Sequence, residues 1–286
     1  MLSQKEIRHR IEVVRNTQKV TRSMKLVAAA KLKGAQRRAQ ADRPYTSALH
    51  DITIRVSQRL GRDAPVLWRR PRFLECIDLI VVTSNRGLCG GFNENLLRGV
   101  EEGILEHLTH NIEVKNFVIG RQGLKWLTRR GYDVVEIPTE GGYDSIIKWV
   151  LERVSTRCAD GQSSGCNLAF NRFVSASHHE ATFWNLLPLS RRGYDMEHNI
   201  EYLYEPMKKT SLEMLAAQAL VSTFKQALLE SEAAEHSARM TAMDAATKNA
   251  DDMIAHLTSV YNKARQEAIT SDLIDIVNGA EAQKGA

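Results

Sequence analysis

The stretch SNRGLCGGFN, residues 84–93, follows the apolar run IDLIVV and has the glycine content of an anion cradle. A phosphate grip needs consecutive backbone N–H groups and a helix whose positive end faces the anion. A Walker loop also carries Lys and then Ser or Thr after its second glycine, whereas Gly91 is followed by Phe92 and Asn93. Nor do Gly87, Gly90 and Gly91 meet the Gly-x-Gly-x-x-Gly spacing of a dinucleotide fold. The local chemistry favours a strand-to-helix corner over a nucleotide site, with the three glycines supplying backbone freedom.

The remaining reactive types fare no better. His178, His179 and Glu180 are the densest metal-ligand candidates, but consecutive strand residues point to opposite faces, so SHHE reads as a polar turn. Cys89 stands near a helix N-terminus with no His or Asn beside it to act as base, which makes it an inert thiol. A GxSxG elbow is absent, and Ser84 has no triad context. The sequence offers no catalytic residue, no metal site and no cofactor site.

The elements that carry these residues follow from where helix breakers fall. All six prolines lie between Pro44 and Pro206, Gly34 is the only glycine in residues 1–60, and neither residue occurs between Pro206 and Gly279. Long helices are therefore expected at both ends, with a turn-rich globular part between. Met240, Met243, Thr247, Ala250, Ile254, Leu257, Tyr261, Ala264 and Ala268 recur at alternating steps of three and four, the seam of a left-handed coiled coil. Upstream the register passes polar interruptions at Ser222, Gln226 and His236, within one helix from about 208 to 277. Ile7, Ile11, Val14, Thr21 and Ala28 form a matching stripe, so the two ends should pair as an antiparallel coiled coil.

Between them, IDLIVVTS, VKNFVIG, YDVVEIP, NLAFNRFVSA and ATFWNLLPL read as strands, and 93–110, 121–130 and 143–157 as helices. That alternation specifies an open, mainly parallel α/β sheet of Rossmann-like type. The expected organisation is an N-terminal coiled-coil helix over 1–60, an α/β domain over 72–206 and a C-terminal coiled-coil helix over 207–286.

Charge is uneven: residues 1–43 hold twelve Lys or Arg against Glu6, Glu12 and Asp42, in a chain of net charge +5. Such a basic rod suits nucleic acid, anionic lipid or an acidic protein surface, and charge alone does not choose. No run of eighteen apolar residues occurs, so direct membrane insertion is not expected. The first residues, MLSQKEIRHRIEVV, match neither a signal nor a transit peptide, which points to a cytoplasmic setting. Cys76, Cys89, Cys158 and Cys166 form no CxxC pair and read as free thiols.

Four separated segments carry a resemblance. RIEVVRNTQKVTRSMKLVAAAKLKGAQ at 10–36, TSNRGLCGGFN at 83–93, YLYEP at 202–206, and ESEAAEHSARMTAMDAATKNADD with YNKARQEAITSDLIDIVNGA within 230–280 together resemble the gamma subunit of the F-type ATP synthase, bacterial type. The resemblance implies a noncatalytic rotor shaft without cofactor, a coiled coil threading a hexamer of alpha and beta subunits with its α/β domain near the membrane ring. The implied partners are the alpha, beta and epsilon subunits and the c ring, with no nucleic acid, and the implied place is peripheral, on the cytoplasmic face of the bacterial plasma membrane. By the same resemblance, Met24, Lys25, Arg86, Cys89, Arg239, Gln266, Thr270 and Asp272 should contact the alpha and beta subunits, with Arg239 acting near Met24. Tyr202, Tyr204 and Glu205 should face the membrane ring. Asn85 stands where the family more often has Asp, which removes a carboxylate beside the loop. The competing function is a nucleic-acid-binding coiled coil using the basic N-terminal helix, although few aromatics sit there to stack bases.

Overall fold

The computed structural model describes residues 4–57, 60, 65–69, 71, 73–189, 202–205 and 207–284. Two helices dominate: α1, Gln4–Ser57, and α5, Lys208–Lys284. They match the expected terminal helices, and α5 runs seven residues past Val277, through Gly279. The chain divides into two compact units, one of residues 1–27 with 240–286, the other of residues 28–239.

In the first unit α1 and α5 run antiparallel. Gln18 pairs with Asp251, Thr21 with Thr247 and Lys25 with Asp244, so partner numbers fall as α1 advances. Ile7, Ile11, Thr21, Met243, Thr247 and Ala250 are buried along the expected seam, and Val14, Ile254, Leu257, Tyr261, Ala264 and Ala268 are half-buried.

In the second unit the same antiparallel order continues: Arg38 pairs with Glu232, Lys225 with Asp42, and Thr46 with Ser222. Two of the polar interruptions read in the sequence, Ser222 and Gln226, meet α1 here, while Gln226 Oε1 and Glu230 Oε2 are buried without a hydrogen-bond partner. Gln226 donates to the Ala39 carbonyl and to Glu230, and Ser222 shares its hydroxyl with Thr46 at 2.8 Å. A buried polar group without a partner would cost about 1–3 kcal/mol, so these cross-links hold α1 and α5 to one register.

The sheet of this unit has five strands among the described residues, in the order β3-β2-β1-β4-β5. β1 (Cys76–Val82) lies at the centre, parallel to β2 (Glu113–Ile119) and β4 (Gly165–Ser175); β3 (Val134–Glu136) extends β2 in parallel. β5 (His178–Leu187) is the antiparallel edge, paired to β4. His178, His179 and Glu180 therefore belong to a strand, and the turn is the tighter Ala176–Ser177. The half-exposed alternation of β5 hides this strand start, because polar residues on its outer face look like turn residues.

Side chains alternate across the sheet as a strand period of two requires. Ile80, Val82, Phe117, Leu168 and Phe170 pack on one face under α4 (Gly142–Ala159) and under Leu220, Phe224 and Leu228 of α5. Leu79, Val81, Val118 and Ala169 pack on the other under α2 (Phe92–Thr109) and α3 (Arg121–Arg129). A sheet covered on both faces explains the nearly continuous apolar reading of β1. All four cysteines are free thiols.

Candidate functional site

The glycine loop leaves β1 at Val82 and enters α2 at Phe92, and its backbone is fixed by side chains at its two ends. The Ser84 hydroxyl donates to the Arg86 carbonyl at 2.7 Å, while Asn93 donates to Ser84 Oγ at 2.8 Å and to Cys89 Sγ at 3.3 Å. Asn93 Oδ1 in turn accepts the Ser84 N–H at 3.0 Å. The left-handed positions are Leu88, at φ 63°, and Gly90, at φ 58°. Gly90 takes the role expected of a glycine; Gly87 and Gly91 do not, and a leucine adopts the strained conformation in their place.

An anion at the neighbouring helix start is blocked by the chain itself. The first N–H groups of α3 go to Asn85 Oδ1 (from Arg121, 3.2 Å), the Ser84 carbonyl (from Gln122, 3.2 Å) and Thr83 Oγ1 (from Gly123, 3.0 Å). The loop thus caps α3 with the groups a phosphate would otherwise replace. Asn85 performs this with an amide oxygen, so the missing carboxylate leaves the cap intact. Gly120 enables the approach: at φ 98°, a Cβ there would stand 2.2 Å from the Thr83 carbonyl oxygen.

The loop's other anchor comes from α5. Arg239, 9% exposed, places Nη2 2.7 Å from Glu235 Oε1 and 3.3 Å from the Arg86 carbonyl, and Nε 3.5 Å from the Gly87 carbonyl. Its Nη1 lies 3.4 Å from His236 Nδ1. One helical turn before His236, Glu232 accepts from Arg38 of α1 and from the Tyr143 hydroxyl of α4, each at 2.6 Å. Burial, followed by Glu232, pushes the Tyr143 phenol well up, so it stays a donor. Ser237 donates to the Ala176 carbonyl at 2.5 Å, tying the β4–β5 turn to the same stretch of α5.

The residues singled out from the sequence divide between the units. Arg86, Cys89 and Arg239 come together at this loop. Arg86 is exposed, but Cys89 is 2% exposed and faces Ser84 and Asn93, and burial raises its thiol pKa. The loop offers a neighbour Arg86 and Leu88, the latter 61% exposed, rather than the thiol. Arg239 directs its guanidinium inward, onto loop carbonyls. At the start of α5, Tyr204 packs against a cluster of Val56, Trp68, Leu212 and Ala216, while Tyr202 and Glu205 are exposed beside Leu203.

In the other unit Met24 is half-buried, and Lys25 bonds Asp244 at 2.5 Å, which holds that carboxyl below the usual carboxylate range. Gln266 and Thr270 are exposed on one face of α5, and the Thr270 hydroxyl donates to the Gln266 carbonyl at 2.9 Å. The Asp272 side chain lies outside the described residues. Sequence reasoning missed Asn93, Glu235 and His236. The four-residue spacing of Glu235 and Arg239 on a helix was the signal available, since it marks an ion pair that fixes the arginine.

A protein-family profile described as ATP synthase matches residues 3–283. A curated "ATP synthase gamma chain" of Geobacter metallireducens is 40% identical over 291 residues, covering all of both chains. One from Aquifex aeolicus is 36% identical over 293 residues, covering 99% of this chain and 98% of that one. Among solved structures, the fold is similar to a chain in the Euglena gracilis mitochondrial ATP synthase, "OSCP/F1/c-ring", with a TM-score of 0.70 at 18% identity, over 98% of this chain and 94% of that one. A chain of the Tetrahymena thermophila "central stalk/cring" gives 0.60 at 23%, over 79% and 99%.

Proposed function

Because the chain belongs to the ATP synthase gamma-chain family, we propose that it is the central shaft of a rotary ATP synthase. It would couple ion flow through a membrane ring to ATP synthesis or hydrolysis on an alpha/beta hexamer. The observation that carries this reading is the end-to-end similarity to curated gamma chains, at 40% identity over 291 residues. The physical support is that α1 and α5, helices of 54 and 77 residues, are cross-linked by side-chain pairs within each unit. Part of the basic charge of α1 is met by α5, through Lys25–Asp244, Arg38–Glu232 and Arg43–Glu230, which accounts for some of its excess without a polyanion.

In this reading the chain has no active site of its own, and nucleotide chemistry belongs to the hexamer. Its partners are the alpha, beta and epsilon subunits and the c ring, and its place is peripheral, at the cytoplasmic face of a bacterial plasma membrane. No helix among the described residues is long and apolar enough to cross a membrane. Tyr202, Tyr204 and Glu205 meet the ring; Met24, Lys25, Gln266, Thr270 and Asp272 meet the hexamer, as does the glycine loop through Arg86 and Leu88. Reconstitution with alpha and beta subunits tests the reading: ATPase activity of the hexamer should become dependent on this chain. Micromolar ATP binding by the isolated chain in a calorimetric titration would contradict it.

A further inference from the structure

We infer that Arg239 is a positioning residue, which clamps the exposed glycine loop to α5 and so sets the place of Leu88 at the surface. The inference rests on the shaft reading for its functional meaning, and on the geometry of one compact unit for its substance.

The guanidinium reaches four groups with one planar fork. Nη2 meets Glu235 Oε1 at 2.7 Å and the Arg86 carbonyl at 3.3 Å; Nε meets the Gly87 carbonyl at 3.5 Å; Nη1 meets His236 Nδ1 at 3.4 Å. The carbonyl contacts are long singly, but the donor is charged and its side chain is only 11% exposed, so water competes poorly for it. Glu235 orients the fork from one helical turn below. The two carbonyls belong to the residues immediately before Leu88, which is held at φ 63° with its side chain 61% exposed. A leucine in that conformation persists only where its surroundings over-determine it. Ser84 and Asn93 hold the loop from its β1 and α2 ends, and Arg239 supplies the third side, from an element more than 150 residues away.

A lysine cannot reproduce this. Its point charge satisfies one carbonyl or Glu235, but not the carboxylate and both carbonyls in fixed geometry. The clamp also gives the loop's contact with a neighbour a rigid connection to α5, where a loop tethered only at its ends would yield.

The loop's own thiol reports on the clamp. Cys89 is 2% exposed, its thiol turned inward from the loop onto Ser84, Asn93 and the Arg86 carbonyl, and Cys166 is 0% exposed inside the sheet. N-ethylmaleimide labelling of the full chain, resolved by peptide mass spectrometry, should rise at least tenfold at Cys89 in Arg239→Ala while Cys166 stays protected. Arg239→Lys should fall between Arg239→Ala and the native chain, and Glu235→Gln should shift Cys89 in the same direction by less. Unchanged labelling of Cys89, or a parallel rise at Cys166 that marks general loosening, overturns the clamp. The second arm uses the reconstituted alpha/beta complex on its membrane sector: Arg239→Ala should lower ions moved per ATP several-fold with hexamer binding retained, and Arg239→Lys should restore part of it. Full coupling in Arg239→Ala, with Cys89 exposed, overturns the positioning role. If the native chain itself fails to couple, the shaft reading falls while the labelling arm still decides the clamp.

Discussion

Thr21 of α1 and Thr247 of α5 share a buried hydrogen bond of 2.9 Å across the helix pair, at positions 9% and 7% exposed. Each hydroxyl also lies near a carbonyl of its own helix: Gln18 at 3.0 Å for Thr21 and Met243 at 2.7 Å for Thr247. A polar pair in an apolar seam specifies register at some cost in stability. The double substitution Thr21→Val with Thr247→Val removes both partners at nearly constant shape, so it should be neutral or stabilising by up to about 1 kcal/mol. Thermal unfolding followed by circular dichroism checks this. A loss beyond about 2 kcal/mol would mean the pair stabilises rather than specifies.

Arg157 of α4 and Asp78 of β1 make a buried ion pair, with Nε 3.0 and 3.1 Å from the two carboxylate oxygens. Burial raises the Asp78 pKa, and Arg157 opposes the shift. Arg157→Met should cost about 3–5 kcal/mol at neutral pH, because it strands the carboxylate in the core. With Asp78 then titrating well above its unfolded value, stability is present below about pH 4 and lost as pH rises through the folded pKa. Urea unfolding of the variant should accordingly show higher stability at pH 5 than at pH 7, the native chain showing less of this trend.

His236 titrates in the opposite sense. Burial lowers its pKa first of all, Arg239 and Lys31 lower it further, and Glu235 and Glu232 oppose them. Below its ordinary value of about 6.5 the unfolded chain binds the extra proton, so the contribution is present above that pH and lost as pH falls through the folded value. Protonation would also turn the Nδ1 that faces Arg239 from acceptor to donor. Between pH 7.5 and 5.5 the melting temperature of the native chain should fall more than that of His236→Gln; parallel curves would remove His236 from the account.

Leu88→Gly separates stability from contact. Glycine adopts the positive φ without a side-chain clash, so the chain should be no less stable, and up to about 1 kcal/mol more stable. Loss of the exposed side chain should still weaken binding to the alpha/beta hexamer, measured by calorimetry. Unchanged affinity would remove Leu88 from the interface.

Elements with strong periodicity were legible from the sequence, because their burial is regular. β1, with both faces covered, reads as an apolar run, and the α5 seam shows in steps of three and four. The site was legible only in part. The glycine loop declared itself by composition, yet Leu88 gives no sign of a left-handed backbone, since leucine ordinarily avoids it. The reach of Arg239 to Gly87 spans 152 residues and depends on side-chain direction, which spacing along one helix does not encode. His178–Glu180 looked like a turn because an edge strand carries polar residues.

Rotation itself tests whether this chain is a shaft. The hexamer of alpha and beta subunits is fixed to a surface, with a probe on this chain near Tyr202, and rotation is followed during ATP hydrolysis. On the shaft reading, this chain turns in one direction while ATP is hydrolysed and stops when ATP is exhausted. Sustained hydrolysis by a complex that holds this chain bound but stationary would contradict it.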